Sequence, residues 1–169
     1  MGNSDKLAIL LVLIGAFSRL MHLPPNIAAV TGVTIFAGFA ITNKWIALLV
    51  PILSMMLADF VLGWYNEVLY TYAGMAAGVF LARWFLHPLT PVRLIGVTFA
   101  SSVAFFLLSN FGVFMSGYYG FTFDGFVTCY VMALPFWQNS LIADFTSTAL
   151  VFGLYLLAIR AVPSARVAD

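Results

Sequence analysis

Charge is what this sequence lacks most. Of its 169 residues only 8% are Asp, Glu, Lys or Arg, while 63% are apolar; an ordinary soluble domain carries about 25% charged residues. A folded chain with so few charges has no means of covering an aqueous surface, so the solvent around it is lipid. A soluble enzyme and a disordered scaffold are excluded together. A nucleic-acid binder is excluded as well, because a net charge of +1 gives a polyanion almost nothing to pair with. Cysteine is nearly absent too. Cys129 stands alone and makes no internal disulfide, and one Cys with His22 and His87 does not complete a closed structural zinc site. There is no phosphate-cradling glycine loop, no His-Glu-x-x-His and no CxxC. Asp59 and Asp144 make at most an acid pair with no second element of a catalytic set, so the expectation is a non-enzyme without a resident cofactor.

What the chain has in quantity is long apolar runs. A helix needs about 17 to 25 mainly apolar residues to cross a ~30 Å hydrocarbon core, and such runs lie near 7–23, 27–43, 45–63, 67–87, 93–115 and 139–161. They are broken by Pro24-Pro25-Asn26, Thr42-Asn43-Lys44, Gly63-Trp64-Tyr65-Asn66 and His87-Pro88-Leu89-Thr90-Pro91, each a turn-forming sequence. The expected fold is an all-α bundle of six membrane spans forming one integral membrane domain over residues 1–169. The stretch 116–138 is too short in apolar residues for a comfortable crossing and reads as a long capping loop with an embedded helix between spans 5 and 6. A seventh span there would move the C-terminus to the other side.

Basic residues decide between the two layouts, because cytoplasmic loops carry the excess of Lys and Arg. With six spans and the N-terminus inside, Lys6, Lys44, Arg83, Arg93, Arg160 and Arg166 share one face, and Arg19 alone lies at the other. Seven spans would spoil that asymmetry. Both termini are therefore expected on the cytoplasmic side of the membrane. Trp64, Tyr65, Tyr70, Tyr118, Tyr119 and Trp137 then gather at the outer interface. Lys6, the apolar run and Ala16-Phe17-Ser18 also have the form of a short signal peptide; an uncleaved first span is the plainer reading, since membrane sequence follows.

Charges inside a bilayer cost about 2.5 to 3.5 kcal/mol each, so those that persist are paired or functional. Arg19, Asp59 and Asp144 fall at one depth on spans 1, 3 and 6, and a single arginine neutralises only one of the two acids by direct pairing. They lock the spans together, serve a ligand, or do both. Uncharged polar groups collect at the same level: His22 and Asn26 at the first outer loop, Trp64, Tyr65 and Asn66 at the second, Asn110 and Asn139 flanking the third. Together these residues outline an outer chamber with aromatic walls, suited to a small amphipathic ligand. Cys129 reads either as a small buried hydrophobe or as a soft ligand to the metal of a bound molecule. Gly74 to Gly78 forms a small-residue stripe for close helix packing or for a partner.

Arg19 to Asn26, Leu57-Ala-Asp-Phe-Val-Leu-Gly-Trp-Tyr, Ser109-Asn-Phe-Gly-Val-Phe and Cys129 to Asp144 resemble an uncharacterised family of small bacterial membrane proteins. That family is similar in size and layout to the substrate-binding S components of energy-coupling-factor vitamin transporters. The resemblance implies a six-helix bundle whose outer loops, here 22–27, 63–67 and 116–138, bind a vitamin-like micronutrient for uptake, cobalamin among the candidates. It also implies an energising transporter module as partner. The first span departs from the docking pattern Ala-x-x-x-Ala, since Ala8 and Ala16 stand eight apart, which points to a protein acting alone. The alternative is a structural or assembly subunit of a larger membrane complex, with other membrane subunits as partners.

Overall fold

The computed structural model describes residues 3–21 and 30–161. Six helices follow one another: α1 (Asn3–Leu20), α2 (Val30–Ala40), α3 (Lys44–Leu62), α4 (Val68–Phe85), α5 (Pro91–Met115) and α6 (Phe123–Ala161), with no strand among the described residues. Their ends are chemically marked. The Asn43 side chain accepts from the backbone N–H groups of Trp45 and Ile46 to start α3, and Thr90 accepts from Arg93 N–H ahead of Pro91 to start α5. Gly63 ends α3 at φ 103°, a conformation open to glycine.

Three helices, α3, α5 and α6 up to Arg160, are long and apolar enough to cross a membrane, and the chain is built as a membrane protein. The others fall short for visible reasons. The eleven residues of α2 span only ~16 Å, and α4 carries Tyr70, Thr71, Tyr72 and Arg83.

α2 is the axis of the bundle. It packs against all five other helices, and ten of its eleven residues are buried. Two glycines allow this. A Cβ on Gly32 would lie 2.6 Å from the Ser147 carbonyl oxygen, and one on Gly38 would collide with the Val79 carbonyl, so α6 and α4 approach α2 backbone to backbone. The Gly74 and Gly78 stripe is likewise used inside, against Phe105 of α5 and against Thr34 and Ser101.

The half of the bundle toward Lys44, Arg83 and Arg93 is apolar and filled. Phe36 meets Phe152 edge-on at 5.3 Å, and Phe39 lies 5.6 Å from the same ring, amid Val33, Ile35, Ile41, Val50, Val79 and Leu86. Lipid tails are as apolar as these side chains, so dense contact rather than transfer from water holds this region. Arg83 donates to the Ile41 and Thr42 carbonyls at the end of α2, and Arg93 to the His87 carbonyl, as cations at helix C-termini do.

The expected long capping loop over 116–138 is not what forms. Only 116–122 connects α5 to α6, and α6 is one continuous helix of 39 residues, ~58 Å at 1.5 Å per residue. Pro135, Gln138 and Asn139 have the look of a helix end, yet Pro135 sits within the helix. A proline removes one backbone donor, and the packing of this segment along α5 outweighs that loss. The Tyr130 hydroxyl donates to the Leu107 carbonyl at 2.8 Å and the Trp137 indole N–H to Ser102 Oγ at 3.0 Å. Further along, α6 turns to α2, where Ser147 Oγ accepts from Gly32 N–H at 3.2 Å. The first helix also begins earlier and ends earlier than the 7–23 expected. The stretch around Pro24-Pro25, 22–29, lies outside the described residues.

Candidate functional site

The site starts from the register of two parallel helices. Gly15 of α1 packs on Ser54 of α3, and one turn further along both helices Arg19 meets Asp59. Arg19 Nη2 lies 3.1 Å from Asp59 Oδ1, and Nη1 donates to Met55 Sδ at 2.9 Å. The Tyr72 hydroxyl donates to the other carboxylate oxygen, Oδ2, at 3.3 Å. Asp59 is 1% exposed and Arg19 26%. The acid is thus enclosed with both oxygens engaged, which offsets the cost of burying it, while its partner shows part of its guanidinium to open space.

That space is a cavity of about 360 Å³. Arg19, Tyr65 and Thr71 form one side, Phe105, Phe106, Ser109 and Asn110 of α5 a second, and Ala133, Phe136, Trp137 and Ser140 of α6 a third. Burial pushes the Tyr65 phenol above its ordinary range, so at neutral pH it faces the cavity as a neutral hydroxyl. Phe106 and Trp137 stack with ring centres 4.9 Å apart. Asn110 Nδ2 donates to the Phe106 carbonyl at 2.8 Å, which leaves the amide oxygen as an acceptor.

A second cavity of about 90 Å³ shares Arg19, Phe105 and Ser140 with the first and adds Val30, Thr31, Met75 and Asp144. A third, about 10 Å³, shares Thr31, Met75 and Phe105 with the second and reaches Ser101. The three taper toward the middle of the bundle, with Phe105 on the wall of each. Asp144 is buried and has the Ser102 and Thr31 hydroxyls at its carboxylate. The acids therefore take different roles: Asp59 holds the arginine, and Asp144 is met by hydroxyls.

Of the residues singled out in the sequence, Arg19, Tyr65 and Asn110 line the large cavity, Asp59 backs Arg19, and Asp144 lines the second cavity. Trp64, Asn66 and Asn139 are exposed and belong to none of the three cavities. Cys129 is buried, donates to the Asn110 carbonyl at 3.4 Å and lines none of them. His22 and Asn26 lie outside the described residues. Among the described residues no three His, Cys, Asp or Glu side chains are grouped to hold a metal.

Sequence reasoning missed Phe105, Phe106, Phe136 and Ser140, and took Trp137 for a member of an interface belt. The signal was present as spacing. Positions 133, 136, 137, 140 and 144 are one face of a helix, but only if that stretch is helical.

The profile of one protein family matches residues 3–165. The chain belongs to this family of unknown function, DUF6580. Comparison of this DUF6580 protein with curated proteins and with solved structures gave no match in either.

Proposed function

We propose that this DUF6580 protein is a six-span binding protein of a bacterial inner membrane that captures a small vitamin-like micronutrient from the extracytoplasmic side for uptake, in the manner of the S components it resembles. The observation that carries the reading is the tapering cavity. One arginine, an amide and several hydroxyls are set among aromatic walls at the end of the bundle away from Lys44, Arg83 and Arg93. A few convergent polar groups in an apolar concavity are what small-molecule sites are made of. The orientation rests on the basic residues: Lys6, Lys44, Arg83, Arg93 and Arg160 belong to the opposite end, which the charge rule assigns to the cytoplasm.

The cavity's size narrows the ligand class. About 360 Å³ is at the low end of the ~300–1,000 Å³ typical of such sites. It favours a small vitamin over cobalamin, and Cys129, which lines none of the three described cavities, offers a cobalt ion nothing in them. Among the described residues the lining presents no nucleophile with a base beside it, and the reading is capture and passage rather than catalysis.

Mass spectrometry of small molecules extracted from the purified protein tests the proposal, together with thermal unfolding across a vitamin panel. A ligand at 100 times its Kd adds about 2.7 kcal/mol. Protein that carries nothing and is stabilised by nothing in the panel overturns it.

A further inference from the structure

We infer that the large cavity takes a small planar acid as its anion, the negative group on Arg19 and the flat apolar body against the wall of Phe106, Phe136 and Trp137; this rests on the reading of that cavity as the ligand site. The charge of the wall carries the argument. Among the described residues eleven line the cavity, and Arg19 is the only charged one of these. Glu67 lies near enough to Tyr65 to act on it but lines none of the three cavities, and Asp59 and Asp144 are withheld from the wall. Asp59 is enclosed behind the guanidinium with Tyr72 on its second oxygen, and Asp144 opens only on the smaller cavity, its carboxylate met by Ser102 and Thr31.

Arg19 also has capacity to spare. A guanidinium carries five N–H donors. Asp59 and Met55 take two, and the contact with Asp59 is a single one rather than a two-pronged fork. No described residue takes the other three, which are open to an incoming carboxylate, a charge-assisted contact of the strong kind. A cationic ligand would find aromatic faces to sit on, but it would also meet the guanidinium with no carboxylate on the wall to offset it. Size agrees with a compact ligand: about 360 Å³ is the room of about twelve waters at ~30 Å³ each, enough for about a dozen heavy atoms.

The test uses the full chain in detergent, with benzoate and 2-naphthoate each paired with its primary amide, a neutral isostere. Thermal unfolding over a concentration series reads the affinity of each. The acids are expected to bind at least tenfold more tightly than their amides. Arg19→Gln is expected to abolish that preference through a ten- to hundredfold loss for the acids alone. Because that variant also removes the partner of Asp59, Ser140→Asp supplies a second measurement. It keeps the Arg19–Asp59 pair and sets a competing carboxylate on the wall that Arg19 and Ser140 share, and it is expected to remove the preference as well.

Amides that bind as tightly as the acids overturn the inference and leave the ligand cavity standing. Stabilisation by phosphatidylglycerol but by neither acid also overturns it, assigning Arg19 to a lipid headgroup. If no probe binds and no small molecule co-purifies, both the inference and the functional proposal fall.

Discussion

The two ends of this bundle solve opposite problems with the same six helices. Toward Lys44 and Arg83 the interior is aromatic and aliphatic, with Phe36, Phe39 and Phe152 in mutual contact and no charge among them. Toward Tyr65 and Trp137 the interior is hollow and holds Arg19, Asp59 and Asp144. A membrane bundle draws its cohesion from packing and hydrogen bonding rather than from escape from water, so a hollow polar half is tolerable only if the other half is well packed. Dense packing and the polar cavities are thereby separated by depth.

Four substitutions put that separation under strain. Phe152→Ala, in the filled half, is expected to have the largest effect, a loss of about 3 kcal/mol from the cavity left behind. Denaturant unfolding in detergent measures it, and the folded fraction should keep its ligand affinity. Asp59→Asn comes next, at about 2 kcal/mol. It strips Arg19 of its counter-charge, and the partial exposure of that arginine moderates the penalty of breaking a buried pair. Reversion toward wild-type stability in the double variant Asp59→Asn, Arg19→Met would identify the orphaned charge as the cause.

Trp137→Phe loses the indole hydrogen bond to Ser102 and is expected to cost about 1 kcal/mol. It also reshapes the cavity wall, so titration with the ligand recovered from the protein should show weakened binding. The smallest effect is expected from Thr148→Val. The Thr148 hydroxyl is buried and makes no hydrogen bond among the described residues, so replacing it with a methyl group should move the unfolding midpoint by the equivalent of less than about 1 kcal/mol, and upward if at all. A large loss there would mean that the polar column extends further into the filled half than the cavities do.

Much of the scaffold was legible in the residues. Expected spans at 45–63, 67–87 and 93–115 became helices at Lys44–Leu62, Val68–Phe85 and Pro91–Met115, because Asn43, Gly63 and Thr90-Pro91 mark their own boundaries. The meeting of Arg19 with one of two acids was legible from depth. Which acid it would choose was not, because that depends on the parallel register of α1 and α3 set by Gly15 against Ser54. The start of α6 was misread because the apolar run from Phe123 to Trp137, with Pro135 near its end, is too short to cross a membrane by itself; it forms instead as the first part of one longer helix packed along α5. That one misreading also hid the Ala133, Phe136, Trp137, Ser140 face and moved attention to exposed Asn139 and Trp64.

The glycines of α2 carry a mechanical consequence. Where Gly32 and Gly38 let the α6 and α4 backbones touch α2 directly, no layer of side chains remains to act as a bearing, and these seams can neither slide nor part without losing contact along their length. The short central helix is thereby clamped to its two neighbours, α4 and α6, more closely than side-chain packing alone would allow.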